Sequence, residues 1–380
     1  MWRGGRMADS RCMARTEDAM LEHFARRSVV ELEPYRWEAP NTTIAARHNL
    51  PLADVLRFDL NTMPDRPRWW RAAMAAACDA DDPQEYADPS YAALTRLLGD
   101  YCGVDAAQVL VGAGADEVLA IIAQTFLDPG DAVAVTAPTY PLHALRPQQL
   151  GAVVRICPLG AGFAPAVEQL LAAAVGAKLL YLCSPNNPTG NAVDPAVIAR
   201  IVAGSPCPVV LDEAYAEFVG WSAIPLLARY PHLIVVRTLS KAFALAGMRL
   251  GYAIARPEAI ELLQRVRPTN SISVVTASIA AAALHDLPAM EANVAEVADA
   301  REPLAAGLRA AGARVYPSVT NFLLTDWGSP AAAQAVAARL ERRGIVVRNY
   351  AQHRWLLGHL RITVRSPEQH ARLLAALRAG

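Results

Sequence analysis

Of the 36 basic residues in this 380-residue chain, only Lys178 and Lys241 are lysines; the other 34 are arginines. A lysine amine can lose its proton and attack a carbonyl, whereas a guanidinium stays protonated and cannot form an imine. Lys241 ends the run Arg237-Thr238-Leu239-Ser240-Lys241, beside two hydroxyls and eight residues before Arg249. Asp212 follows the apolar run Val209–Leu211, where a carboxylate is costly to bury without a cationic partner. Gly112-Ala113-Gly114-Ala115-Asp116-Glu117 is a glycine-rich turn opening a helix, with free backbone N–H groups that suit a phosphate. Tyr140 offers a flat face to an aromatic ligand, and Ser184-Pro185-Asn186-Asn187-Pro188-Thr189-Gly190 makes a rigid polar strand end. Each piece alone also has a plain structural reading: an ordinary strand–helix turn, a packed tyrosine, an aspartate capping a helix. The set fits one chemistry. An imine between a lysine and an aldehyde cofactor needs a carboxylate for the ring nitrogen, a phosphate site and a ring to stack on.

These residues sit where apolar runs end. Val109–Val111, Ala132–Val135, Val153–Ile156, Leu179–Cys183, Val209–Leu211, Leu233–Val236 and Leu250–Ile254 are strand-length runs alternating with helical stretches. That pattern predicts an α/β fold with a mostly parallel seven-stranded sheet covered by helices, which binds ligands at the carboxyl ends of its strands. After about Ser271 an alanine-rich helical region, Ala277–Ala311, leads to shorter candidate strands at Arg314–Tyr316, Asn321–Thr325, Ile345–Val347 and Leu360–Val364. This predicts a smaller α+β domain from 31–56 and 271–380, a large domain from 57–270, and an N-terminal arm over 1–30.

Composition narrows the functional class. With 53% hydrophobic and 19% charged residues the chain reads as a globular enzyme. Basic and acidic totals are equal at 36, so there is no electrostatic case for nucleic acid or an anionic membrane. Cys12, Cys78, Cys102, Cys157, Cys183 and Cys207 form no C-x-x-C pair, which argues against a zinc site or a disulfide framework and for reduced thiols in the cytoplasm. No stretch is long and apolar enough to span a membrane, and the first thirty residues lack the apolar core of a secretory signal.

The motifs S-P-N-N-P-T-G, D-E-A-Y and T-L-S-K-A-F-A-L-A-G-M-R resemble those of the fold-type I pyridoxal-phosphate aminotransferases, and within them the histidinol-phosphate aminotransferase group. The resemblance runs from about Pro34 to the C-terminus. It implies that Lys241 carries pyridoxal 5′-phosphate and then shuttles the substrate proton, and that Asp212 keeps the pyridine nitrogen protonated. It assigns Tyr215 and Asn187 to the ring oxygen, and Tyr140 to stacking on the ring. Thr238, Ser240, Arg249 and the amides of Ala115 and Asp116 would hold the phosphate. A homodimer is implied, with Tyr86 in Glu85-Tyr86-Ala87-Asp88-Pro89 reaching the partner's cofactor. On the substrate side it implies Arg361 for the α-carboxylate or its equivalent, Arg348 for a substrate phosphate, and Asn61, Tyr35 and Asn321 nearby. The expected partners are a small amino donor and a keto acid.

Two departures bear on the substrate. Asn61-Thr62-Met63-Pro64 stands where the family has N-E-N-P, and Ile272 stands where a second asparagine is usual. Cofactor residues intact beside altered substrate residues suggest a shifted substrate. The reading favours transamination between a histidinol-phosphate-like amine and 2-oxoglutarate/glutamate. Alternatives are an aromatic or specialised amino substrate, or decarboxylation or lysis of a phosphoamino acid, as threonine-phosphate decarboxylases look similar. A regulator carrying an aminotransferase-like domain would need a DNA-binding module that this chain does not show.

Overall fold

The computed structural model describes residues 21–32, 38–82, 84–350 and 353–378. The seven apolar runs form seven strands: β2 (Val109–Gly112), β3 (Ala132–Ala137), β4 (Val153–Pro158), β5 (Leu179–Cys183), β6 (Val209–Asp212), β7 (Leu233–Thr238) and β8 (Gly251–Ile254). Their order is β2-β8-β7-β6-β5-β3-β4, parallel throughout except for β8, which runs antiparallel to both neighbours. Alternate residues serve opposite faces, the expected result for strands covered by helices on both sides. Val109, Leu180, Leu182, Leu211 and Val235 enter one apolar core, while Leu110, Tyr181, Val210, Ile234 and Val236 enter the other. Only β4, at the edge, is largely exposed.

A second sheet has the order β1-β11-β12-β10-β9, from β1 (Leu56–Phe58), β9 (Arg314–Val315), β10 (Phe322–Asp326), β11 (Ile345–Asn349) and β12 (His359–Thr363). The β1 strand went unpredicted and moves the expected boundary. Arg57 and Phe58, assigned to the large domain, pair in parallel with Val346 and Val347 of this smaller sheet. The alanine-rich helical region expected over Ala277–Ala311 consists of two helices, Val274–His285 and Leu287–Ala310. They break at Asp286, whose non-helical backbone and side chain cap the second helix, with Pro288 in its first turn. The first of these helices buries Ile279, Ala280 and Ala283 in the core of the large sheet, so residues 274–285 do not pack with the small one. The 24-residue second helix serves both: Met290 packs in the large core, and Val297, Leu304 and Leu308 in the small one.

Of the expected arm, residues 1–20 lie outside those described. The one-turn helix Arg27–Val30 lies against the body, where Ser28 Oγ donates to the Gln149 carbonyl at 3.1 Å. Lys178 is exposed just before β5, as expected for a lysine without chemical work.

Candidate active site

Register brings the strand ends together. Gly251, the first residue of β8, pairs with Gly112 on one side and Thr238 on the other, while Asp212 pairs with Cys183 and Val236. The turn after β2 and the loop after β7 therefore meet at one edge. Gly114 there has φ 82° and ψ 165°, a conformation essentially confined to glycine, and a Cβ on it would sit 2.5 Å from Arg249 Nη2. A Cβ on Gly251 would lie 2.2 Å from the Ala115 amide nitrogen. Arg249 itself is held at a left-handed φ of 54°, unusual for a side chain with a Cβ and common at ligand sites.

These constraints shape an inner cavity of 270 Å³ lined by Ala115, Asp116, Tyr140, Asn187, Asp212, Tyr215, Thr238, Ser240, Lys241 and Arg249. The helix Ala115–Phe126 starts there with no side-chain cap, leaving its first amides for an anion. Thr238 Oγ1 donates to the Leu250 carbonyl at 2.9 Å, accepts from the Ser240 amide at 3.1 Å and lies 2.9 Å from Ser240 Oγ, fixing both hydroxyls. Arg249 Nη2 lies 3.3 Å from Asp116 Oδ2, and the Tyr140 hydroxyl donates to Asp116 Oδ1 at 2.7 Å.

Asp212 is almost fully buried. Its Oδ1 accepts from the Ala214 amide at 3.0 Å and its Oδ2 from His143 Nε2 at 2.9 Å. His143 is wholly buried and stacks on Tyr181, with ring centroids 5.7 Å apart and 18° between planes. Because a carboxylate only accepts, Nε2 carries the proton in this pair. His143 escaped the sequence reading because its partner lies 69 positions away. Its one local signal is a polar residue at the start of a helix that follows a buried strand.

Lys241 faces Tyr215, with Nζ 5.8 Å from the ring centroid. Burial, aided by the positive charges of Arg361 and Arg249, brings its ammonium down from 10.5 to about 8, against the opposing pull of Asp116 and Asp212. The Tyr215 hydroxyl accepts from Asn61 Nδ2 at 2.9 Å, and burial raises its pKa, although Arg361 and that hydrogen bond act the other way.

An outer cavity of 220 Å³ shares Tyr140, Asn187, Tyr215 and Lys241 with the inner one and adds Glu38, Arg57, Asp59, Asn61, Arg348 and Arg361. Arg361 is buried, with Nη1 donating to Asn187 Oδ1 and Nη2 to the Asp59 carbonyl, each at 2.5 Å. Its Nε has no partner among the described residues. Arg348 lines this cavity, and its Nη1 donates to Glu38 Oε1 at 3.0 Å. Asn321 is fully buried and does not line either cavity; its Nδ2 donates to the Asn61 carbonyl at 2.9 Å, so it positions Asn61 from behind. Tyr86 is 83% exposed and also lines neither cavity. Tyr35 lies outside the described residues. The departures have structural work here. Met63 packs in the small core, Thr62 accepts from Arg365 Nη1 at 3.3 Å, and Ile272 is buried with its backbone bonded to the Tyr91 hydroxyl.

Sequence comparison agrees with this site: the model of the family described as aminotransferase class I and II matches residues 53–377. The chain belongs to that family. This aminotransferase is 36% identical over 368 residues to the histidinol-phosphate aminotransferase of Roseiflexus castenholzii, across 95% of this chain and 99% of that protein. It is 40% identical over 312 residues to the histidinol-phosphate aminotransferase of Xylella fastidiosa, across 78% and 84% of the two chains. Its fold superposes with a TM-score of 0.84 on the histidinol-phosphate aminotransferase of Sinorhizobium meliloti in complex with pyridoxal-5′-phosphate, at 26% identity over 93% of this chain and 97% of that one. The enzyme is thus a pyridoxal-phosphate-dependent aminotransferase of fold type I, and these relatives do not favour the decarboxylase alternative. The donors fit that cofactor. Hydroxyls, a guanidinium and helix-end amides suit its phosphate, a buried carboxylate its ring nitrogen, and a primary amine its aldehyde. Among the described residues no cluster could hold a metal, and no helix is long and apolar enough to cross a membrane.

Proposed function

We propose that this aminotransferase moves an amino group between glutamate/2-oxoglutarate and a small amine of the histidinol-phosphate type, with Lys241, Asp212 and Tyr215 as its catalytic residues. The observation that carries this reading is the convergence of Lys241, Asp212 and Arg361 on two communicating cavities. When bound, pyridoxal phosphate supplies an aldehyde for an amine and a ring that accepts the electron pair left when the substrate Cα loses a proton. Everything else falls to the chain. Asp212, which accepts from the Ala214 amide and pairs with His143, would hold a proton on the ring nitrogen. Lys241 Nζ, once released, would take the Cα proton and return it to the former aldehyde carbon, two atoms away, a transfer suited to an amine with a pKa near working pH. Arg361 would fix the substrate's anionic end by a two-pronged contact, orienting the Cα–H bond toward Lys241. Thr238, Ser240, Arg249 and the amides of Ala115 and Asp116 would anchor the phosphate.

The same reading makes the protein a cytoplasmic homodimer. The exposure of Tyr86, away from its own cavity, suits a residue that reaches the partner's site. The free thiols of Cys102, Cys157, Cys183 and Cys207 suit a reducing compartment. The direct test is to load the purified protein with pyridoxal phosphate, supply glutamate, and measure 2-oxoglutarate and carbon dioxide. One equivalent of 2-oxoglutarate per site is expected, followed by turnover when the keto partner of the amine is added. Carbon dioxide release without 2-oxoglutarate would refute the proposal.

A further inference from the structure

Asn61 lines the outer cavity, yet it is almost wholly buried and its polar groups are bonded within the chain. It lies just beyond β1, with its backbone at a left-handed φ of 53°. Three contacts hold it there. Its amide donates to Thr363 Oγ1 at 3.0 Å, its carbonyl accepts from Asn321 Nδ2 at 2.9 Å, and its Oδ1 accepts from Thr363 Oγ1 at 3.4 Å. Thr363 and Asn321 are themselves fully buried. A buried residue over-determined in a sparsely populated backbone region often serves a site. What these contacts aim is Nδ2, which donates to the Tyr215 hydroxyl at 2.9 Å.

A hydroxyl that accepts an N–H keeps its own proton for another acceptor, and it donates that proton more strongly because the two bonds polarise one another. Among the described residues no acceptor takes the Tyr215 proton, and Tyr215 lines the inner cavity. We propose that Asn61 is a positioning residue for Tyr215: it fixes the hydroxyl and directs its proton into the inner cavity, onto the ring oxygen of bound pyridoxal phosphate. The inference rests on the reading above that Tyr215 acts on the cofactor. It moves Asn61 from the substrate side, where the resemblance put it, to the cofactor side. The charged and titratable groups facing Tyr215 are Arg361, Lys241, Asp212 and Cys183, and replacing Asn61 removes none of them.

The readout is the pH midpoint at which the visible band of the pyridoxal-phosphate-loaded enzyme changes, followed by absorbance. The Tyr215 bond stabilises the negative ring oxygen most when the lysine-bound nitrogen beside it has lost its proton, so weakening the bond raises that midpoint. Asn61→Gly keeps the left-handed backbone and removes the side chain, while Asn61→Asp tolerates that backbone and offers Tyr215 only an acceptor. Asn61→Gly is expected to raise the midpoint by about half a pH unit or more, the scale of one hydrogen bond. Asn61→Asp should raise it further, because its carboxylate draws the Tyr215 proton away and adds negative charge. In a Tyr215→Phe background, Asn61→Gly should move the midpoint by less than about 0.2, since the hydroxyl it acts through is gone. A midpoint unmoved in both single variants would overturn the proposal and, with a raised KM for glutamate, return Asn61 to the substrate side. A full-sized shift without the Tyr215 hydroxyl would overturn it as well. A wild-type enzyme with no visible band would instead refute attachment at Lys241, and this inference with it.

Discussion

The attachment role proposed for Lys241 is one that none of the chain's arginines could fill, because a guanidinium forms no imine. Lys241→Arg preserves charge and approximate length but removes the primary amine. We expect the variant to develop no visible absorbance with pyridoxal phosphate and to lose turnover by about 10³-fold or more; activity within tenfold of wild type would reject Lys241 as the attachment point. The depressed pKa adds a pH signature. Only the unprotonated amine attacks an aldehyde, and with a pKa of about 8 its fraction rises with pH up to that value and then saturates. The rate of cofactor uptake by cofactor-free protein should climb about tenfold per pH unit below neutrality and flatten above about 8. A climb continuing toward the ordinary lysine value would show that burial does not tune this amine.

At the scale of elements, the turn between β2 and its following helix is the most constrained piece of the site. Gly114→Ala puts a methyl group where Arg249 Nη2 lies and demands a backbone shape that alanine resists. Displacing the guanidinium should weaken pyridoxal phosphate binding by about tenfold or more, at a stability cost of about 1–3 kcal/mol, read by cofactor titration and thermal melting. Unchanged cofactor affinity would mean that the cradle tolerates the shift. The inner site was legible in the sequence because strand ends announce themselves: Asp212, Asn187 and Lys241 each follow an apolar run whose length and composition are local properties. Of the outer wall, the family resemblance gave Arg348, Arg361 and Asn61, but the partners of these residues were not legible. The Glu38–Arg348 and Arg57–Asp59 pairs join residues whose identity as charges says nothing about which counter-ion they meet, and the sheet that aligns them begins with a three-residue strand too short for a periodicity. The break at Asp286 was within reach, since an aspartate two residues before a proline is a helix-start signal inside the alanine-rich run.

For the whole molecule, the position of Tyr86 yields a test of shared sites. On the proposed reading, a Lys241→Ala subunit and a Tyr86→Ala subunit would each be impaired. In a mixed dimer one site would combine Lys241 of one chain with Tyr86 of the other and so be intact. Mixing the two variants under conditions that exchange subunits should raise activity above the sum of the parents, toward about a quarter of wild type for random pairing at equal amounts. Simple additivity would place Tyr86 outside the partner's active site.

The reversed strand β8 carries a further implication. Because it runs against β7, the chain leaves the sheet at Thr238 and returns at Gly251 on the same edge, and Lys241 and Arg249 ride on that one excursion. The distance between amine and guanidinium is thus insulated from length changes in every other connection of the fold. If Lys241 and Arg249 hold the cofactor as proposed, length changes in the segments carrying Glu38, Asn61 or Arg348 would leave the spacing of those two groups untouched.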